Sequence, residues 1–302
     1  MSTAPETWTV LRLLKWTTDF LKRYDVPSPR LDAEILLAEA MGCTRVDLYT
    51  RFEYEPTQQE REKFKAAIRK RSEGVPVAYL VGHKEFYSLD FLVDPGVLIP
   101  RPETECLVRE ACEAAAALRK GVSGRSGEGL RILDLCTGSG CVAWSLALSL
   151  PGARVTGVDL SDGALAVARG QDFSQELSRT GAFAPVFVRG DILDPAIPLP
   201  GEAFDLVLAN PPYIPVSLKS RMRPNVTEYE PSLALYVPDE DPLVFYRAIA
   251  ALSRRCLLPG GRGFAEIHED LGPESCAVFR NSGFEKASLI RDFYGKNRIV
   301  AY

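Results

Sequence analysis

The sequence predicts an α/β protein: a mostly parallel sheet that ends in an antiparallel hairpin, preceded by a small bundle of helices. Three observations carry that expectation. Up to residue 85 the apolar side chains follow helical spacing, with no long β run. Beyond Gly129, short apolar runs alternate with helical stretches, as in a parallel sheet covered by helices. The runs 283–290 and 298–302 have no helical stretch between them, so they pair as a hairpin. The expected domains are a helical one over 1–85, a β-hairpin linker over 86–100 and an α/β domain over 101–302.

In the first domain Leu13, Trp16 and Phe20 share a helix face, and Leu31, Ile35 and Ala38 repeat the spacing. Ser28-Pro29 reads as an N-cap and first helical residue, and Gly42 as a stop. Thr57 with Glu60 fits a capping box that opens a highly charged helix carrying Phe64, Ala67, Ile68 and Arg71. The period then changes. Residues 86–99 alternate around Asp94-Pro95-Gly96, which predicts a hairpin turning at those three residues. A helix from near Glu103 to Lys120 and a flexible loop from Gly121 to Gly129 follow. Strands are expected at 130–135, 154–160, 185–188, 204–209 and 263–267.

Composition narrows the function classes. Of 302 residues 46% are hydrophobic and 25% charged, which excludes a disordered, collagenous or disulfide-scaffold chain. Lys and Arg number 36 against 40 Asp and Glu. The first 85 residues hold 14 basic and 13 acidic side chains and the remainder 22 and 27, so neither part is a basic module that grips nucleic acid. Seven cysteines without a CxxC pair, and only two histidines, read as reduced core thiols rather than a metal site. No basic patch followed by an apolar run opens the sequence, and no apolar stretch nears the roughly 20 residues that span a bilayer. The expectation is a cytoplasmic monomer that binds neither membrane nor nucleic acid directly.

Asp134, at the end of an apolar strand, leads through Cys136, Thr137, Gly138, Ser139 and Gly140 into a helical pattern. Glycines at such a switch let a ligand approach the backbone and the helix N-terminus. Asp159 closes the next strand, 21 residues after Gly138, where a carboxylate can accept from ribose hydroxyls. Asp191 follows the third strand, placed to meet an adenine amino group. Gly138 to Ala143 also satisfies the loose dinucleotide pattern GxGxxA, so the loop alone does not choose among nucleotide cofactors.

The strand 204–209 delivers Asn210-Pro211-Pro212-Tyr213 to the carboxyl edge of the sheet, where α/β proteins place ligands. The Asn210 side-chain carbonyl and the Pro211 backbone carbonyl are two acceptors that can converge on one NH2 group. Tyr213 offers a planar face to the flat group bearing that nitrogen. An amide or aromatic amine is a poor nucleophile because its lone pair is delocalised. Two acceptors pulling on its hydrogens favour pyramidalisation and aim the lone pair at an electrophile held by the glycine loop. A plain turn after a strand is the competing account.

These residues resemble the class I S-adenosylmethionine-dependent methyltransferases, a Rossmann-like fold, and among them the amino-methylating group marked by (N/D)PP(Y/F/W). Residues 75–80 (VPVAYL), 84–87 (KEFY) and above all 98–105 (LIPRPETE) narrow the likeness to the protein-glutamine N5-methyltransferases known as HemK or PrmC. The resemblance covers nearly the whole chain. It implies methylation of the glutamine in the Gly-Gly-Gln loop of class 1 peptide chain release factors, with S-adenosylhomocysteine as coproduct. By position it implies that Asn210 to Tyr213 hold the glutamine, that Asp134, Cys136 to Gly140, Asp159 and Asn210 bind the cofactor, and that Asp191 and Ile192 meet its adenine. Arg101 and Glu103 would flank the substrate, and the helical domain would dock the release factor. Cys136 departs from the pattern by standing where many methyltransferases have a glycine.

His83 and His268 read as a base or as structural residues, and the run Arg61 to Arg71 as a solvated helix face or a docking surface. Residues 215–238 read as a lid or a long surface connection. The same chemistry would serve a ribosomal-protein glutamine methyltransferase or an adenine-N6 DNA methyltransferase. An NAD-dependent oxidoreductase or a noncatalytic nucleotide-binding scaffold would use the glycine loop alone.

Overall fold

A computed structural model describes residues 7–121, 129–199 and 203–302. The chain divides into two units, one running to His83 and taking in Arg223–Tyr229, the other formed by Lys84–Met222 and Glu230–Tyr302.

The first unit contains α1 (Val10–Lys22), α2 (Pro29–Met41), α3 (Arg45–Thr50), α4 (Gln58–Ser72) and α5 (Val77–Val81). Leu14, Leu36, Leu37, Phe64 and Ile68 lie in its core. Thr57 and Glu60 form the expected capping box at α4, and Gly42 ends α2 with φ of 60°. Helical spacing located these helices but not their inner faces. On α1 the buried residues are Val10, Leu13, Leu14, Thr17 and Leu21, while Trp16 is 52% exposed and stacks on Phe20 at 5.1 Å. On α2 it is Ala33, Leu36, Leu37 and Ala38 that are buried, and Leu31 is exposed. Each helix carries two adjoining apolar stripes, and the period alone does not say which one meets the core. Arg71 also leaves the solvated face expected of the run Arg61 to Arg71: it is buried against Asp32, Nε to Oδ2 2.7 Å. Burial pushes the Asp32 pKa up against the pull of that arginine.

All but the first residue of β1 (His83–Phe86) falls in the second unit, with β2 (Leu89–Leu92), and the turn between them is Tyr87-Ser88 rather than Asp94-Pro95-Gly96. Both turn residues have positive φ, 52° and 61°, the geometry of a type I′ turn that Gly and Asn usually advertise. The Asp94 side chain instead accepts from the Gly96 amide at 2.7 Å in a turn outside the ladder. A short 3-10 turn, Pro102–Thr104, precedes α6 (Glu105–Gly121). The loop expected from Gly121 to Gly129 falls on residues 122–128, outside the described residues.

There follow β3 (Arg131–Leu135), α7 (Cys141–Ser149), β4 (Arg154–Asp159), α8 (Asp162–Gly170), α9 (Ser174–Thr180), β5 (Val186–Arg189), β6 (Phe204–Ala209) and β7 (Ile214–Pro215). Then come α10 (Pro224–Thr227), β8 (Tyr236–Val237), α11 (Val244–Cys256), β9 (Leu257–Glu266), α12 (Gly272–Asn281), β10 (Ser288–Arg291) and β11 (Asn297–Ala301). The main sheet has the order β10-β11-β9-β6-β3-β4-β5, parallel from β9 to β5, with β10 and β11 forming the antiparallel hairpin. Strand β9 begins six residues before the expected 263, because Pro259-Gly260-Gly261 reads as a turn. Alternate residues serve the two faces. Ile132, Leu206 and Leu208 pack with α6 and α7, whereas Leu133, Val207 and Ala209 pack with α11 and α12.

No helix among the described residues is long and apolar enough to cross a membrane, and no group of His, Cys, Asp and Glu there could hold a metal ion.

Candidate functional site

The strand order reverses at β3, whose neighbours are β4 on one side and β6 on the other, and the carboxyl ends of these three strands open on one cleft. It encloses about 1190 Å3, its open mouth included. Its floor is Cys136 to Ser139, in the loop between β3 and α7. Positive φ at Cys136 (58°), Gly138 (55°) and Gly140 (77°) turns the chain sharply into the helix. Cys136 adopts at a cost a conformation that glycine takes freely. A Cβ on Gly138 would meet nothing within 4 Å, so this side of the loop lies open to the cavity. At Gly140 a Cβ would come within 2.9 Å of the Phe187 ring and 3.1 Å of Ala168 Cβ, so that glycine permits packing rather than ligand approach.

Asp159, at the end of β4, holds the loop in place. Its Oδ2 accepts from the Gly138 amide at 2.9 Å and its Oδ1 from the Ser161 amide at 2.9 Å. Gln171, which the sequence reading missed, ties the same loop to β2: its Nε2 donates to the Ser139 and Leu92 carbonyls, and its Oε1 accepts from the Leu92 amide. Asp134 is 1% exposed and accepts from the Thr137 hydroxyl at 2.6 Å. Burial, with Asp159 nearby, pushes its pKa up to about 7 against the pull of Thr137. Burial likewise raises the Asp159 carboxyl and lifts the Cys136 thiol well above its ordinary range. Asp191 and Ile192, after β5, line the same cavity, the Asp191 carboxylate accepting from the Leu193 amide at 2.9 Å.

Asn210 and Pro212 form the wall at the end of β6. The Asn210 Nδ2 donates to Thr104 Oγ1 at 3.1 Å, which leaves Oδ1 as the arm of the amide available to a ligand. Thr104 in turn donates to Glu266 Oε2 at 2.7 Å, and Glu266 Oε1 accepts from the Tyr213 hydroxyl at 3.0 Å. Glu266 is 1% exposed at the end of β9, beside β6. Tyr213 is therefore anchored behind the wall, its hydroxyl pKa raised by burial and by Glu266, and does not line the cavity. Pro211, Gly140 and Glu103 do not line it either. Arg101 does, with its Nη2 held 2.6 Å from Glu230 Oε1, and the same carboxylate accepts from the Ile99 amide.

Sequence reading passed over Thr104, Glu266 and Glu230; 162 residues separate the first two, and nothing local marks them as partners. Glu230, Pro231, Leu233 and Ala234 belong to the stretch 215–238. Part of that stretch thus lines the cavity, while Arg223–Tyr229 belongs to the helical unit. His268 caps a 3-10 turn, its Nδ1 accepting from the Asp270 amide.

Comparison with known proteins agrees with this architecture. The profile of the PrmC N-terminal domain matches residues 12–82 and that of a methyltransferase domain matches residues 132–222. A release factor glutamine methyltransferase from Rhodopirellula baltica is 39% identical over 97% of this chain and 96% of its own. One from Chlorobaculum tepidum is 39% identical over 95% of this chain and 94% of its own. A solved protein-(glutamine-N5) methyltransferase from Alicyclobacillus acidocaldarius is 29% identical, with a TM-score of 0.39 over 70% of this chain and 97% of its own. With a glycine loop and an Asn-Pro-Pro-Tyr wall around one cavity, and identity sustained over nearly its whole length, the chain belongs to the release factor glutamine methyltransferase family.

Proposed function

We propose that this protein transfers the methyl group of S-adenosylmethionine to the side-chain amide nitrogen, N5, of the glutamine in the Gly-Gly-Gln loop of class 1 peptide chain release factors. The observation that carries the reading is an asparagine amide tethered by its NH2 end, with its carbonyl arm free beside a glycine loop. The activity of the curated relatives supports the substrate.

The residues present fit the cofactor. Gly138 leaves open space for close approach, and Asp159 keeps lone pairs for ribose hydroxyls beyond its two backbone donors. Asp134, Asp159 and Asp191 all line the cavity, and its arginine, Arg101, is committed to Glu230. Such walls suit a ligand carrying positive charge and oppose the diphosphate of NAD. In this reading Asp134, Cys136 to Ser139 and Asp159 hold the cofactor, and Asp191 with Ile192 meets its adenine. When bound, S-adenosylmethionine supplies an electrophilic methyl on its sulfonium and leaves as S-adenosylhomocysteine.

Asn210 Oδ1 accepts a hydrogen of the glutamine NH2, with Pro212 bounding the slot and Arg101 lining the same cavity. That acceptor favours a pyramidal nitrogen and stabilises the positive charge that grows on it during transfer. The methylated amide cation is acidic and yields its proton to water, so no strong base is required of the protein. Tyr213 contributes by holding the wall through Glu266. The helical unit docks the release factor, and the enzyme works as a cytoplasmic monomer.

Incubation with methyl-labelled cofactor and a class 1 release factor tests the reading. Label should enter the factor with its loop glutamine intact and not one in which that residue is changed to alanine. Equal labelling of both, or labelling only of ribosomal protein or of DNA adenine, would overturn it.

A further inference from the structure

We propose that Glu266, acting through the Thr104 hydroxyl, dictates which end of the Asn210 amide faces the cavity, so that Thr104 and Glu266 are positioning residues for methyl transfer. The geometry stands by itself; its catalytic consequence rests on the function proposed above. The two arms of an asparagine amide are nearly isosteric, and only the groups around them decide which points where.

Here the order of donors decides. An ionised carboxylate accepts hydrogen bonds and gives none. Glu266 takes one from Thr104 and one from Tyr213, at 2.7 and 3.0 Å. Thr104 is 2% exposed and has a single hydroxyl hydrogen, which is spent on Glu266. Its oxygen can then only accept, and the donor that meets it is Asn210 Nδ2 at 3.1 Å. Turning the amide over would set a carbonyl oxygen against an oxygen with no hydrogen left to give. Burial pushes the Glu266 pKa up, while the two hydroxyl donors and Arg298 draw it back toward the ionised form. Because the same carboxylate anchors Tyr213, Glu266 pins both ends of the Asn-Pro-Pro-Tyr loop.

The chain has a polarity, and substitutions that reverse it should compensate one another. Asn210→Asp creates two carboxylates competing for one Thr104 hydrogen. Adding Glu266→Gln relieves the conflict, since the amide introduced on β9 donates to the Thr104 oxygen and frees its hydrogen for the carboxylate introduced on the wall. In the wild-type background Glu266→Gln is mild, because the carbonyl arm of the introduced amide can still accept from Thr104 while its NH2 faces Tyr213.

Turnover should fall about 10- to 100-fold in Thr104→Val, which leaves the Asn210 NH2 without an acceptor, and stay within about threefold in Thr104→Ser. Asn210→Asp/Glu266→Gln should exceed Asn210→Asp by about tenfold, with the dissociation constant for S-adenosylhomocysteine changed less than about threefold throughout. A readout independent of turnover is the side-chain 15NH2 resonance of Asn210, assigned by its loss in Asn210→Ala. It should keep its hydrogen-bonded shift in Thr104→Ser and lose it in Thr104→Val. No rescue in the double variant, or a resonance unmoved by Thr104→Val, overturns the proposal. If release factor is not methylated but the resonance behaves as stated, the functional reading fails and the positioning chain stands.

Discussion

Asp134 offers a perturbation whose sign and size follow from its surroundings. A pKa moved from 3.8 to about 7 corresponds to about 4 kcal/mol of preference for the neutral carboxyl in the folded protein. Because the folded pKa is raised, the stability this group contributes is fully present below about pH 4 and is lost as pH rises through about 7. Asp134→Asn removes the charge and keeps an acceptor for the Thr137 hydroxyl. At about pH 8 the ligand-free variant should therefore be more stable than wild type by about 2–4 kcal/mol, several degrees in Tm, with the gap narrowing to about 1.5 kcal/mol near pH 5 and closing below about pH 4. A cationic ligand reverses the balance: it favours ionised Asp134, so wild-type affinity for S-adenosylmethionine should rise with pH through about 7 while that of the variant stays flat. Thermal unfolding at both pH values, with and without cofactor, measures all four quantities. Equal stability of the two proteins at pH 8, with parallel pH dependence, would refute the reasoning.

Asn210→Ala should lower methyl transfer at least about 100-fold and leave cofactor affinity within about threefold, as read by single-turnover kinetics and calorimetry. Gly140→Ala forces a Cβ against Phe187 and Ala168 at a positive φ, which should cost about 2 kcal/mol in denaturant unfolding and weaken cofactor binding. Arg71→Ala leaves Asp32 buried without its partner, a loss of about 3 kcal/mol, and Arg71→Ala/Asp32→Ala should recover much of it in urea melts.

Much of the site was legible because its parts are local in sequence. A glycine loop leaving one strand, an acidic residue ending the next and a proline pair after another all announce the same sheet edge, and Cys136 to Ser139, Asp159 and Asn210 do meet there. What escaped depends on residues far apart. Thr104 looks like one more helix-start threonine, and Glu266 like the polar end of an apolar strand, until the sheet brings β9 beside β6. Tyr213 was placed on the ligand because an aromatic after two prolines can stack on a flat group, but a buried carboxylate behind it competes for its hydroxyl. The hairpin turn was misplaced because Tyr87 and Ser88 take left-handed conformations without glycine to mark them. Asp94-Pro95-Gly96, which does carry the markers, makes a turn that joins no strands.

The excursion of Arg223–Tyr229 into the helical unit bears on how this protein can be taken apart. In that unit the Tyr229 hydroxyl donates to the Glu73 carbonyl at 2.8 Å, and its ring lies where a Cβ on Gly74 would be 3.3 Å away. A cut after His83 would therefore not yield a clean catalytic fragment, because seven residues far downstream would lose the scaffold they belong to. Engineering that exchanges the helical module must therefore carry both pieces together, since the chain leaves that unit and returns to it as a splice rather than as beads on a thread.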